Sequence, residues 1–157
     1  TSALEGIEVS SVESASEMHK VLLEQFPMCD ILIMSAAVAD AKPKSSSLEK
    51  IKKSLFGSIE LEENPDLLGS LVPLKKDQVV IGFAAETKDH LQEARRKLEA
   101  KGLDLIYVND VSGGAIFGQD QTMGTILLRN DADIAVKEVS KDALGNLLLD
   151  QAIRQLG

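Results

Sequence analysis

Apolar and polar positions along the chain follow two different patterns, which predict strands separated by helices. Three runs are apolar almost throughout and too short for helices: 30–35, 79–85 and 104–109. Such runs are typical of parallel strands that are buried on both faces. Between the second and third runs, residues 88–101 have helical spacing, with Leu91, Ala94 and Leu98 as the predicted core stripe.

Capping sequences mark the starts of three further helices. Ser14 and Glu17 form a capping box before an amphipathic stretch that Pro27 ends. Residues 64–66 (NPD) predict a second start, with the asparagine as N-cap and the proline at the first helical position. Ser140 is the predicted N-cap of a final helix. Its apolar positions are Leu144, Leu147, Leu148 and Ile153.

The order of these elements predicts the fold class. Residues 6–12 alternate loosely and predict an opening strand, and residues 125–128 and 134–136 predict a closing pair. Strands that alternate with helices form right-handed βαβ units, so we expect an α/β fold with a Rossmann-like, doubly wound, mostly parallel sheet and helices on both faces. Ligands bind such sheets at the carboxyl ends of the strands, here just after residues 35, 83 and 109.

Residues 1–157 are expected to form a single domain. The chain is long enough to bury one hydrophobic core, and it contains neither a repeat nor a long linker. A doubly wound nucleotide-binding domain opens with a strand, a glycine-rich turn and a helix. The strand predicted at 6–12 instead resembles the second in that order. Neither the G-x-G-x-x-G pattern nor a P-loop occurs. The domain is therefore expected to lack its first strand–loop–helix unit.

Composition excludes several function classes. The single cysteine, Cys29, excludes a disulfide framework and fits a reducing cytosol, so we expect a cytoplasmic protein. No apolar run approaches the roughly 20 residues of a membrane span. The net charge of −8 argues against general nucleic-acid binding, and 3% aromatic residues argue against a base-stacking platform.

A lysine-rich segment follows the first apolar run. Residues 42–53 contain five lysines and one glutamate in an otherwise acidic chain. Lysines concentrated in this way indicate a flap that folds over an anionic ligand, because the ammonium group binds phosphate as a compact point charge. A solvated loop, or an edge strand protected by lysines, explains the composition about equally well.

Other candidate residues have both a functional and a structural interpretation. Asp40 is either a Mg²⁺ ligand beside phosphates or a surface turn residue. The small residues of 82–87 (GFAAET) either admit a flat ring or pack strand against helix. Lys97 and Lys101, one helical turn apart, either flank a cleft or complement the helix dipole. Asn109 ends a predicted strand beside a glycine-containing loop.

Taken together, these segments resemble phosphopantothenoylcysteine synthetase, the CTP-dependent phosphopantothenate–cysteine ligase. In bacteria this enzyme is usually the C-terminal half of a bifunctional coenzyme A biosynthesis protein. The resemblance covers about residues 30–130. The motifs that carry it, in order, are AAVAD (36–40), KIKK (50–53), NPD (64–66), GFAAET (82–87), LD (103–104) and NDV (109–111).

The resemblance implies a ligase that joins 4′-phosphopantothenate to cysteine with CTP and Mg²⁺. The substrate carboxylate attacks the α-phosphate to give a phosphopantothenoyl-CMP intermediate, from which the cysteine amine displaces CMP. Asp40 would hold the metal, and Lys50 would be catalytic by stabilising charge on the triphosphate. Pro65–Leu68 and Phe83 would enclose the cytidine. The residues implied to contact the nucleotide are Met34, Ser35, Ala36, Lys50, Pro65, Asp66, Leu67, Leu68, Phe83, Lys97 and Lys101.

The sequence also departs from the family pattern. The upstream glycine- and serine-rich anion loop, the asparagine linked to the acyl intermediate and the flavin-dependent decarboxylase half have no counterpart, so no flavin is expected on this domain. The resemblance implies a homodimer with residues 50–62 near the contact. We also expect an incomplete domain that is completed by the N-terminal segment or the decarboxylase domain. The alternatives are a non-catalytic nucleotide-binding or dimerisation module of the same fold and, less compatible with the missing glycine pattern, a flavin or nicotinamide oxidoreductase.

Overall fold

The computed structural model describes residues 6–45, 57–86, 90–110 and 120–157. The strands are β1 (Ile31–Met34), β2 (Ala41–Pro43), β3 (Leu61–Glu63), β4 (Val79–Glu86), β5 (Leu105–Asp110), β6 (Gln121–Leu128) and β7 (Ile134–Ser140). The helices are α1 (Ala15–Gln25), α2 (Leu67–Leu71), α3 (His90–Ala100) and α4 (Lys141–Leu156), with 3₁₀ turns at Phe26–Met28 and Val72–Leu74.

A five-stranded sheet in the order β1-β4-β5-β6-β7 forms the centre of the fold. β1, β4 and β5 are parallel neighbours, and β6 runs antiparallel to both β5 and β7. All strands of this sheet except β6 therefore run in one direction, which confirms the α/β, Rossmann-like, mostly parallel prediction. β2 and β3 form a separate antiparallel pair. Lys42 and Lys44 lie in or beside it, whereas Lys50 and the other lysines of the predicted flap lie outside the described residues.

Helices cover both faces of the sheet because the strands alternate their side chains between two cores. On one face, Val80 and Ala84 of β4 pack with residues from α2, α3 and the turn after α1. On the other, Val79 and Ile81 pack with Leu144 and other residues of α4. We refer to these as the α2 face and the α4 face. No helix in the described ranges is both long and apolar enough to span a bilayer.

Three details of the predicted pattern are wrong. Ile33 of β1 is 42% exposed rather than buried, because in the described sheet β1 has a neighbour only on the β4 side. Leu91 is 49% exposed, so the core stripe of α3 consists of Ala94 and Leu98. Residues 6–12 form no strand. The apolar side chains of that segment, such as Val9, are exposed, and alternation alone cannot make a strand without a partner edge.

Two helix starts follow the predicted capping chemistry. The Ser14 hydroxyl accepts a hydrogen bond from the Glu17 amide at 3.2 Å, as predicted. The Glu17 carboxylate accepts one from the amide of Glu13 at 2.7 Å, and not from the Ser14 amide as the capping box predicts. The Ser140 hydroxyl accepts from the Ala143 amide at 3.1 Å. These caps satisfy amides that have no partner inside the helix, and so they fix where α1 and α4 begin.

Candidate functional site

A cleft of about 380 Å³ on the α2 face extends from the carboxyl end of β1 to the residue after α3. The sequence-predicted site residues that line it are Met34, Ala36, Asp40, Pro65, Asp66, Leu67, Leu68 and Lys101. We call it the α2-side cleft. The fold thus brings most of the predicted nucleotide residues together, although they come from three separate parts of the sequence.

The hairpin of β2 and β3 shapes one wall of this cleft. At its base, the Asn64 amide N–H donates to the Asp40 carbonyl at 2.8 Å, and the Asn64 side-chain Nδ2 donates to the Ala39 carbonyl at 2.9 Å. The two bonds join Asn64, which follows β3, to Asp40 and Ala39, which precede β2. Asp40 is consequently held beside the start of α2.

Asp66, not Asn64, is the N-cap of α2. Its carboxylate accepts a hydrogen bond from the Gly69 amide at 3.0 Å. The prediction of Asn64 as N-cap is wrong because the Asn64 side chain is bonded to Ala39 instead. A Cβ at Gly69 would collide with the Asp66 carboxylate, so the cap in this form requires glycine at position 69.

An ion pair joins Asp66 to Lys101 across the cleft. Partial burial raises the pKa of Asp66, but hydrogen bonds from Lys101 and Gly69 and the charge of Lys101 outweigh it, so the pKa of this carboxyl lies below its ordinary value. Lys101 is therefore a cation in the cleft whose charge is already partly matched. An anionic ligand would share Lys101 with Asp66 or take it over.

His19 is a cleft-supporting residue that sequence reasoning missed. The Ser70 hydroxyl donates to the Leu67 carbonyl at 2.7 Å, so it accepts from Nε2 of His19 at 2.8 Å. This chain of bonds ties α1 to the helix that carries Leu67 and Leu68. The two partners are 51 positions apart, and no spacing pattern in the sequence could have indicated the contact.

The carboxylates of the cleft fit a Mg²⁺ ion that is shared with phosphates. Asp40 and Glu63 both line the cleft, while Asp66 is occupied by Lys101 and Gly69. Mg²⁺ commonly takes one or two carboxylates plus substrate phosphates and water. Among the described residues, no group of three or more acidic, histidine or cysteine side chains could hold a metal.

A second cavity, of about 440 Å³, lies on the α4 face. Ser35, Phe83 and Asn109 line it, so the three strand ends where the topology predicts a ligand meet there. We call it the α4-side cavity. The rings of Phe83 and Tyr107 meet edge to face with centroids 6.1 Å apart. Leu144 and Leu148 of α4 complete a largely apolar wall.

A short polar chain lies against this apolar wall. The Thr122 hydroxyl donates to Asn109 Oδ1 at 3.2 Å, which leaves its oxygen to accept from the Tyr107 hydroxyl at 2.7 Å. Burial raises the pKa of Tyr107, partly offset by the bond to Thr122, so the phenol stays protonated and can donate. The hydroxyls of Tyr107 and Thr122 and the Oδ1 atom of Asn109 therefore satisfy one another.

The structure separates some predicted residues. Phe83 and Ser35 lie in the α4-side cavity, so Phe83 shares no wall with Pro65–Leu68. Of the residues that the structure describes, only Ala36 borders both spaces. Lys97 is exposed on α3 and is not part of either lining. Lys50 lies outside the described residues. Its assigned role, like the other ligand contacts, stays a prediction.

Comparisons with known proteins support the fold and identify the family. Residues 1–156 match the family described as the DNA/pantothenate metabolism flavoprotein C-terminal domain. A protein of Bacillus subtilis, named coenzyme A biosynthesis bifunctional protein CoaBC, is 45% identical over 121 residues, which are 76% of this chain and 30% of that protein. The protein of the same name from Mycobacterium bovis is 36% identical over an alignment of 160 positions, which covers 94% of this chain and 38% of that protein.

Solved structures show the same fold. The C-terminal domain of a CoaBC protein matches with a TM-score of 0.73 at 30% identity, covering 90% of this chain and 62% of that one. A DNA/pantothenate metabolism flavoprotein from Streptococcus pneumoniae matches with a TM-score of 0.74 at 22% identity, covering 94% and 73%. The chain spans only 30 to 38% of the length of the curated relatives described above. It belongs to the family of DNA/pantothenate metabolism flavoprotein C-terminal domains.

Proposed function

We propose that this domain carries the phosphopantothenate–cysteine ligase activity of coenzyme A biosynthesis, with CTP as co-substrate. The observation that carries the proposal is the α2-side cleft, in which Asp40, Pro65–Leu68 and Lys101 meet as the family resemblance implies. The names of the relatives support the pathway. We place the reaction in the cytoplasm, which suits a chain with a single, unpaired cysteine.

The nucleotide is proposed to lie across the carboxyl end of β1, where Ala36 borders both spaces. Pro65–Leu68 would contact the cytidine from one side and Phe83 from the other. Lys101 would exchange part of its contact with Asp66 for a phosphate oxygen, and Lys50 and Lys97 would add further positive charge. Asp40, with Glu63, would hold Mg²⁺, which when bound neutralises charge on the triphosphate.

The chemistry then requires a nucleotidyl transfer followed by an acyl transfer. A carboxylate oxygen of 4′-phosphopantothenate attacks the α-phosphorus of CTP, and pyrophosphate leaves. The cysteine amine next attacks the acyl carbon, loses a proton, and CMP leaves. For both steps the chain binds and orients the reactants, and its lysines stabilise negative charge as it develops.

A homodimer is part of the proposal. Ile59 and Leu61 beside and within β3 are 75% and 63% exposed, in the segment where the family contact is expected. Apolar side chains that protrude from a short strand are suited to burial against a second copy. The N-terminal segment or decarboxylase domain of the family is the other proposed partner.

Detection of the acyl-CMP intermediate tests the function. The chain is mixed with CTP, Mg²⁺ and phosphopantothenate, and the mixture is examined by mass spectrometry, alongside the Asp40→Asn variant. We expect intermediate from a version extended at the N-terminus, and about tenfold less or lower when that version carries Asp40→Asn, because the substitution removes a metal-binding charge. Asp77→Asn, at an exposed carboxylate outside both linings, is the matched control and should behave as the unaltered chain.

Calorimetry separates the possible failures. CTP binding without intermediate by the extended version would support the non-catalytic nucleotide-binding module instead, and comparison with the chain alone shows whether activity needs the upstream segment. No binding of CTP or ATP would leave only the assembly role. Flavin absorbance in the purified protein would favour the oxidoreductase alternative.

A further inference from the structure

The α4-side cavity combines a largely apolar wall with a single charged residue among those that the structure describes in its lining, Lys141. Phe83 is 37% exposed and lines the cavity together with Leu144 and Leu148 of α4. A volume of about 440 Å³ suits a small organic ligand, and ligands in such sites are held by apolar contacts and oriented by a few polar or charged groups. The lining thus suits a ligand with an apolar body and an anionic group.

The fold gives no structural reason for a cation at position 141. Lys141 is the first residue of α4, where the helix dipole is positive, so its ammonium charge opposes the dipole. Lys141 is exposed, and none of the ion pairs among the described residues includes it. Its backbone N–H donates to the Asp120 carbonyl at 2.9 Å, which fixes the start of α4 beside the start of β6. An anionic ligand is the partner that would make this charge favourable.

Lys141 lies at the edge of the sheet where ligands of this fold class bind. β7 runs in the same direction as β1, β4 and β5, so Lys141, which follows β7 directly, is at the edge where those strands end. Ala36, at the end of β1, borders both the α4-side cavity and the α2-side cleft. A ligand in the cavity can therefore meet the nucleotide proposed for the cleft at Ala36, while its other end lies near the start of α4.

We propose that the α4-side cavity binds 4′-phosphopantothenate, with its phosphate at Lys141 and its carboxylate at Ala36. The inference rests on the proposed function, in which a carboxylate oxygen of this substrate must reach the α-phosphorus of CTP. The phosphate and the carboxylate are at opposite ends of the substrate, and between them a carbon bears two methyl groups, which Leu144 and Leu148 can contact. The lysine ammonium group binds phosphate as a point charge on a flexible stem, so an exposed lysine beside the cavity can reach it.

Two ligands that differ only in the phosphate test the contact with Lys141. Lys141→Gln keeps most of the side-chain length and loses the charge. Isothermal titration compares 4′-phosphopantothenate with pantothenate, which lacks the phosphate, on the chain and on the version extended at the N-terminus. We expect Lys141→Gln to raise the Kd for 4′-phosphopantothenate about tenfold and that for pantothenate less than about twofold, because only the first ligand carries the group that Lys141 contacts.

The control variants separate this contact from general effects of charge and folding. Lys137→Gln removes an exposed lysine of β7 that is part of neither lining, and it should change neither Kd. Lys141→Arg keeps the charge and should bind 4′-phosphopantothenate within about threefold of the unaltered chain. Thermal melting should find Lys141→Gln at least as stable as the unaltered chain, since the lost charge opposes the helix dipole. The Kd for CTP with Mg²⁺ should not change.

Several results would overturn the inference. An equal rise in Kd for both pantothenate ligands would mean that Lys141 does not contact the phosphate, and an equal loss of CTP binding would assign Lys141 to the nucleotide. Binding by Lys141→Arg as weak as that by Lys141→Gln would exclude a role for the charge. If CTP binds and Lys141→Gln leaves the Kd for 4′-phosphopantothenate unchanged, this inference fails and the proposed function stands. If neither version of the chain binds either substrate, both fail together.

Discussion

The α2-side cleft and the α4-side cavity meet at Ala36, yet they are built in opposite ways. The cleft is bounded by β2 and β3, of three residues each, and by the five-residue α2. Its parts are held by side-chain hydrogen bonds and the pair of Asp66 and Lys101. The cavity is backed by β4 and β6, of eight residues each, and by the 16-residue α4.

This difference indicates how each space should respond to change. Short elements with exposed polar contacts open at low free-energy cost, and ligand-binding parts of proteins are commonly drawn from them. Long strands inside a packed core resist local opening and respond to changes in volume. The cleft is therefore expected to be sensitive to charge and pH, and the cavity to packing.

The largest expected effect tests the packed side. Gly124 of β6 has no room for a side chain, because a Cβ there would collide with the Val108 backbone carbonyl of β5. Gly124→Ala should lower the free energy of unfolding by about 3 kcal/mol, since backbone rather than a side chain must move. Urea unfolding measures the change.

The matched control is the same substitution at a glycine that lines the α4-side cavity. Gly145 lies inside α4, and a Cβ there would meet nothing within 4 Å. Gly145→Ala should stabilise the chain by about 0.5–1 kcal/mol because alanine loses less conformational freedom in a helix. Equal effects at the two positions would contradict the packing described for β5 and β6.

A smaller effect is expected on the polar side, at Asp66. Asp66→Ala removes the cap of α2 and the partner of Lys101, and should cost about 1–2 kcal/mol in unfolding free energy. Asp66→Asn keeps a capping oxygen but loses the charge, and should cost only a few tenths of a kcal/mol because the pair is well exposed. Chemical unfolding of the three proteins at pH 7 provides the measurement.

The pH dependence of the Asp66→Asn difference has a defined sign. The pKa of Asp66 is depressed in the folded chain, so its ionised form adds stability above the unfolded value of about 3.9. That contribution should disappear as the pH falls through the lower, folded-state pKa. A difference that grows on acidification would contradict the direction of this shift.

The sequence predicted the central sheet well because the pattern that indicates a buried strand lies within a few consecutive residues. The runs at 79–85 and 104–109 became β4 and β5 almost residue for residue, since continuous apolar character over so short a length has few other structural solutions. The capping residues Ser14 and Ser140 were also identifiable, because a cap and its amide lie three residues apart.

The cleft was less predictable because its geometry depends on contacts between distant segments. Asparagine is a common N-cap residue. The side chain of Asn64 is instead bonded to the carbonyl of Ala39, 25 positions earlier in the sequence. Phe83 was grouped with Pro65–Leu68 although strand alternation places it on the α4 face. The face of the sheet on which Phe83 lies could have been predicted, since Val79 and Ile81 share its parity along β4.

The smallest expected effect concerns the support behind the cleft. His19→Leu removes the bond from α1 to Ser70 and should lower the free energy of unfolding by about 1 kcal/mol, as should Ser70→Ala. Because the two groups serve one contact, the double variant should lose less than the sum of the single losses, and the coupling energy follows from a double-mutant cycle.

His19→Gln and Lys20→Leu distinguish a specific bond from a general effect on α1. The glutamine amide nitrogen can donate at the position of Nε2, so His19→Gln should recover much of the lost stability. Lys20→Leu alters an exposed neighbour and should change the free energy of unfolding by less than about 0.5 kcal/mol.

Hydrogen exchange at α2 gives the sharper comparison. If the bond to Ser70 holds the cleft wall, exchange at the amides of α2 should accelerate in His19→Leu while the amides of β4 and β5 remain as protected as before. Uniform acceleration would mean that α1 supports the whole α2 face, and the contrast between a locally held cleft and a globally packed cavity would then be wrong.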